Sequence, residues 1–148
     1  MSQIASAYAL TEQQLQQLDS LTAKKDWKAA HELKRPQEIE PEYGYSGDVI
    51  GVLISFLDAH YIKFPKHQMY ANLKECEIIS AVTAAKLADE IDEFELTADD
   101  DELATYFKEF IGEDYEEAGE AMHDGLTFLS KTLRSAAEKN TYYLLTIG

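Results

Sequence analysis

The sequence predicts a single α+β domain over residues 1–148, mostly helical, with several α-helices covering a small sheet that joins the N- and C-terminal strands. Three observations predict it. Strand-like apolar segments stand at both chain ends: Ile4, Tyr8 and Leu10 at one, and Tyr142, Tyr143, Leu144, Leu145 and Ile147 at the other. Between them, apolar residues recur at helical steps of three and four. Finally, 148 residues with 45% hydrophobic and 11% aromatic content can bury one core without disulfide or metal staples.

Residues 3–10 read as a short strand. Thr11 then caps a helix whose Leu15, Leu18 and Leu21 share a face. Asp26 caps a second, short helix through Trp27, Ala30 and Leu33 that stops before Pro36. Residues 38–47 hold Pro41, Gly44 and Gly47 and form a loop, with Tyr43 and Tyr45 as candidate surface aromatics. From Ser46 or Asp48 onward, Val49, Ile50, Val52, Leu53, Ile54, Phe56, Leu57 and Tyr61 are apolar on nearly all sides, as in a buried helix or a buried strand. A run that continues past ten residues to His60 favours helix. Residues 65–74 connect, and residues 76–79 form a short strand.

Thr83 is expected to cap a helix that buries Leu87, Ala88, Ile91 and Phe94. Thr97 is expected to cap the next, with Leu103, Tyr106, Phe107, Phe110 and Ile111 inward and Gly112 as its left-handed stop. Glu113 begins a long helix with Tyr115, Ala118, Met122, Leu126, Leu129, Leu133 and Ala136 as its seam. Gly119 and Gly125 mark a kink or a close helix contact. Asn140 ends the helix before the C-terminal strand. A terminal strand this apolar needs a partner, and the strand at the other terminus is expected to pair with it.

Cys76 is the only cysteine, so the chain forms no internal disulfide and no thiolate metal cluster. The N-terminus lacks the basic and apolar regions of a secretory signal. The most apolar stretch, residues 49–57, falls short of the ~20 residues a membrane-spanning helix requires. A cytoplasmic location is expected.

Charge is the most informative property. The chain carries 28 acidic residues against 13 Lys and Arg, for a net charge of −15. That argues against unaided binding of nucleic acid or of anionic lipid. Residues 89–120 contain 15 acids and one base, Lys108, so nearly all of the excess lies in that stretch. Some of these acids suit helix starts: Asp99, Asp100, Asp101 and Glu102 after Thr97, and Glu113, Asp114, Glu116 and Glu117 at the long helix. Others, Asp89, Asp92 and Glu93, avoid the apolar face of their helix. Capping does not explain the missing cations, since a surface built for solubility interleaves Glu with Lys.

Familiar catalytic and metal motifs are not found. Neither Asp99 nor Asp89 starts a calcium loop, because the sixth positions are Ala104 and Phe94. His31-Glu32 has no second histidine at zinc-protease spacing, and His60 and His67 are separated by Pro65. Gly44-Tyr45-Ser46-Gly47 reads as a turn. Cys76, beside Ile78 and Ile79, reads as core. No metal or cofactor is implied. Trp27 and His31, four apart on one helix face, either anchor the core or line a cleft together with the Tyr43 and Tyr45 loop.

The order of features resembles the YfbM-like family of small bacterial proteins. The likeness rests on the N-terminal strand running into Leu10-Thr11-Glu12-Gln13-Gln14-Leu15, on the Trp27-x-x-x-His31 pair, and on Val82-Thr83-Ala84-Ala85-Lys86-Leu87 followed by acidic helices and a long helix closing with Ala137-Glu138-Lys139-Asn140. It implies a single α+β domain and supplies no activity. Small acidic bacterial proteins of this kind, by analogy, act as immunity proteins beside toxins.

The expected function is therefore a binding protein of the immunity type that docks a basic protein such as a toxin domain. The expected surface comprises Asp89, Glu90, Asp92, Glu93, Asp99, Asp100, Asp101, Glu113, Asp114, Glu116, Glu117 and Glu120, with Tyr106 and Tyr115 as aromatic anchors. The alternatives are a small-ligand protein or enzyme with a cleft at Trp27, His31, Tyr43 and Tyr45, and a subunit of a structural homodimer.

Overall fold

The strand signals at the chain ends form one antiparallel ladder in the computed structural model, which describes residues 3–113 and 115–148. Strand β1 (Ala5–Leu10) pairs with β3 (Tyr142–Ile147) from Ala5↔Ile147 to Leu10↔Tyr142. The short β2 (Glu77–Ile79) pairs with the other side of β3, giving the order β1-β3-β2. The most apolar strand thus takes the central place, with Tyr143, Leu144 and Leu145 all buried. Its most apolar residues, Tyr143 to Leu145, are paired on both sides, which counters the aggregation hazard of a greasy edge.

Strand alternation divides the interior into two cores. Ala5, Ala7, Ala9, Ile79, Tyr143 and Leu145 face the larger one. Tyr8, Leu10, Ile78 and Leu144 face the smaller one. The larger core is built by α3 (Gly47–Ala59), α4 (Ala81–Glu95), α5 (Asp100–Ile111) and α6 (Ala118–Glu138). The smaller is built by α1 (Glu12–Ala23), α2 (Trp27–Lys34) and a 3₁₀ turn at Ala71–Leu73.

Alternate alanines on β1 leave room for α6, whose Ala118, Ala121, Met122, Leu126, Leu129, Leu133 and Ala136 are buried. Tyr143 is fully buried, and its hydroxyl meets Thr132 Oγ1 of α6 at 2.9 Å. Residues 49–57 are helical. Ser46 caps α3, and Gly47 lies so close to β1 that a Cβ there would come within 2.9 Å of the Ala5 nitrogen. Helix α4 runs antiparallel to α6, since Asp89, Asp92 and Glu95 meet Arg134, Ser130 and Thr127 in turn.

The caps at Thr11, Asp26 and Ser46 and the left-handed stop at Gly112 lie where the sequence puts them. Three other starts differ. Ser80, not Thr83, caps α4, because its hydroxyl reaches the free Thr83 amide one turn on. Asp99, not Thr97, caps α5 by accepting from the Asp101 amide at 2.9 Å, while Thr97 Oγ1 donates to Phe94 O. The long helix begins at Ala118, five residues after Glu113. Glu113 and Tyr115 therefore lie in the connection between α5 and α6, and Asp114 falls outside the described residues. Phe110 and Ile111, expected inward, are exposed, 56% and 42%, because the buried face of α5 is carried by Leu103 and Phe107. No helix among the described residues is long and apolar enough to cross a membrane.

Candidate functional sites

The acidic residues divide into two groups. On α4, Asp89 and Asp92 accept from the Arg134 guanidinium at 3.0 and 2.6 Å, and Asp92 also accepts from Ser130 Oγ. Glu90 and Glu93 share that helix, Glu93 exposed and Glu90 half-buried. Arg134 lies 15 residues beyond Gly119 on α6, roughly 22 Å along the axis. Asp89 and Asp92 are thus set back from the helix starts and partly neutralised by the chain's own cation, while Glu95, at the end of α4, reaches them.

The second group gathers where α5 and α6 begin. A Cβ on Gly119 would lie 2.6 Å from the Asp100 carbonyl oxygen, so only glycine lets these two helix starts touch. Around the crossing stand Asp99, Asp100, Asp101, Glu116, Glu117 and Glu120, all exposed. Histidines meet carboxylates at this end: His123 Nδ1 lies 2.9 Å from Asp100, and its Nε2 lies 3.8 Å from Glu95. His60 Nε2 lies 3.7 Å from Glu102 at the edge of α3.

The connection returns along α5, with Tyr115 edge-on to Phe107 at 5.6 Å before Gly119 meets Asp100. That path opens a crevice of about 370 Å³ lined by Val49, Phe107, Ile111 and Tyr115, with Asp48 and Glu113 on its rim. Glu113 directly follows Gly112, the C-cap of α5. A carboxylate there faces the negative end of the helix dipole, so helix capping does not account for it. Asp48 escaped the sequence reading because it is distant in the chain, and α3 brings it to the crevice.

Tyrosine placement changes the expected aromatic set. Tyr115 lines the crevice, and its hydroxyl is pushed up by partial burial and then by Glu117 and Glu120. Tyr106 is half-buried between Phe56, at 4.8 Å, and Phe110. Tyr43 and Tyr45 do not line a cleft with Trp27 and His31. Tyr43 is buried in the larger core, where its hydroxyl donates to Ala121 O at 2.6 Å, and desolvation holds its proton well above the ordinary range. Tyr45 packs beside it, its hydroxyl raised first by desolvation and then by Glu120, Asp124 and Glu117. Tyr45 therefore belongs to the acidic end.

Trp27 and His31 line a separate cleft of about 700 Å³ on the smaller-core side of the sheet. Asp26, by capping α2, sets Trp27 in the first turn, where the residue is 61% exposed. Leu18, Ala30, Leu73 and Leu144 supply apolar surface, and Thr22, Asn72 and Thr146 supply polar groups. Lys34, Lys74, Glu75 and Cys76 complete the lining. Lys34 Nζ sits over the Tyr8 ring at 5.4 Å. The Cys76 thiol is pushed up by burial, which Lys34 only partly offsets, so it is not an activated nucleophile. Among the described residues, no group of three or more His, Cys, Asp or Glu side chains is placed to hold a metal ion. Comparison with protein-family models, curated proteins and solved structures finds no match to this chain.

Proposed function

We propose that this chain is a protein-binding module that engages a basic protein through the acidic end formed by α3, α5 and α6, in the manner of an immunity-type inhibitor of a toxin. The observation that carries the reading is the crevice of Val49, Phe107, Ile111 and Tyr115 rimmed by Asp48 and Glu113. An apolar slot with carboxylates at its mouth fits a lysine or arginine, whose aliphatic stem packs inside while its charged head meets the rim. Glu116, Glu117 and Glu120 extend the negative field beside it, raising the encounter rate and excluding acidic competitors. Tyr115 and exposed Ile111 supply contact area that charge alone lacks. The α4 carboxylates add to the general field but stand outside this contact surface. The resemblance to YfbM-like proteins adds a fold expectation, and the immunity role comes by analogy.

The test is capture of a partner from lysate of the native organism, followed by calorimetry with the purified partner. A basic partner is expected, with affinity falling at least ~10-fold between about 50 and 300 mM salt. The variant Asp48→Asn, Glu113→Gln, Glu116→Gln, Glu117→Gln spares every carboxylate paired with Arg134 or His123. It should keep the wild-type circular dichroism and lose at least ~10-fold in affinity. Undiminished binding of the same partner by this variant would overturn the proposal, as would a partner that is itself acidic.

A further inference from the structure

The cleft behind the sheet is independent of the acidic end, and its chemistry is opposite. The chain has more than two acids for every base, 28 against 13, yet Lys34, Lys74 and His31 line this one cleft against a single carboxylate, Glu75. Neither lysine has a carboxylate within ion-pair distance among the described residues, and Lys34 rests on an aromatic ring instead. Trp27, the sole tryptophan, is 61% exposed on the wall rather than packed into the smaller core beside it. The volume falls in the range of small-molecule sites, where a mostly apolar lining with a few polar groups fixes a ligand.

We infer that this cleft binds a small molecule with a flat ring at one end and a carboxylate or phosphate at the other. The ring would lie on Trp27 over the apolar floor, and the anion would meet Lys34 and Lys74. In a molecule of net charge −15 most of the surface repels an anion, so the two lysines lining the cleft also determine where it settles.

The sole tryptophan provides a direct reporter, since nitrogen-labelled protein shows one indole N–H resonance. Four probes separate the contributions: naphthoate and adenosine monophosphate as anionic rings, naphthalenemethanol as a neutral ring, and inorganic phosphate as an anion without a ring. At least one anionic ring should shift the indole resonance saturably, with Kd below about 1 mM. Which of the two does so distinguishes an aryl acid from a nucleotide, and either result supports the inference. The neutral ring and bare phosphate should each bind at least ~10-fold more weakly. Lys34→Met with Lys74→Met should weaken the anionic ring by ~10-fold while leaving the other amide resonances in place. The inference is overturned if neither anionic ring moves the indole resonance, if naphthalenemethanol binds equally well, or if the double variant binds unchanged.

Discussion

Glu77 shows how a single carboxyl can set a pH dependence. It sits on β2, one residue from Ile78 and two from Ile79, and alternation turns it to the side of the larger core. Burial raises its pKa above the ordinary glutamate value, and His67 and Lys66 offset this only in part. A raised folded-state pKa means that the native state favours the protonated form. The associated stability is therefore fully present below the unfolded pKa and is lost as pH rises through the folded value. Glu77→Gln keeps the neutral shape at every pH. It should raise the melting temperature at pH 7, with the gain shrinking toward zero near pH 4. Thermal melts at the two pH values check this, and a gain that persists or grows on acidification would contradict it.

At the scale of elements, two glycines on α6 do different work. Replacing a helical glycine by alanine gains about 1 kcal/mol of propensity where space allows. At Gly119 the added Cβ would strike the Asp100 backbone oxygen, which cannot yield without moving the start of α5. At Gly125 it would meet the ends of the Leu53 and Ile50 side chains, at 2.8 and 3.2 Å, and these can rotate. Gly119→Ala should therefore cost about 1–3 kcal/mol, a loss of ~2–10 °C in melting temperature, with Gly125→Ala closer to neutral. Equal effects in thermal melts would count against the close crossing that assembles the acidic end. These glycines also show what was legible in the sequence. The seam from Ala118 to Ala136 could be read from spacing, whereas the glycines left a kink or a close helix contact open and the structure shows the contact. The position of the helix start could not, because Glu113, Glu116 and Glu117 all suit a first turn chemically, and only the packing of Gly119 on Asp100 fixes Ala118. The same ambiguity misassigned Thr83 and Thr97, whose neighbours Ser80 and Asp99 are equally good caps. The cleft was legible only through Trp27 and His31, since Lys74 and Cys76 reach it from a connection with no periodicity.

For the whole molecule, the cost of concentrated charge separates a structural from a functional origin of the acidic end. Carboxylates at helix starts stabilise the fold, as Asp99 does by capping α5. Glu113 does the reverse: it follows the C-cap of α5, against the helix dipole, within a chain of net charge −15. If it serves the fold, its removal should destabilise the protein. If it serves the rim of the crevice, Glu113→Gln should stabilise the isolated chain at low salt by ~0.3–1 kcal/mol, and the advantage should fade as salt shortens the screening length from about 30 Å at 0.01 M to about 3 Å at 1 M. The same substitution should weaken capture of a basic partner. Thermal melts across that salt range, set beside calorimetry with the partner, measure both quantities on one variant. Opposite signs for stability and binding would mark a residue retained at the expense of the fold, whereas a destabilised variant at low salt would assign Glu113 to the architecture and leave the crevice without its defining charge.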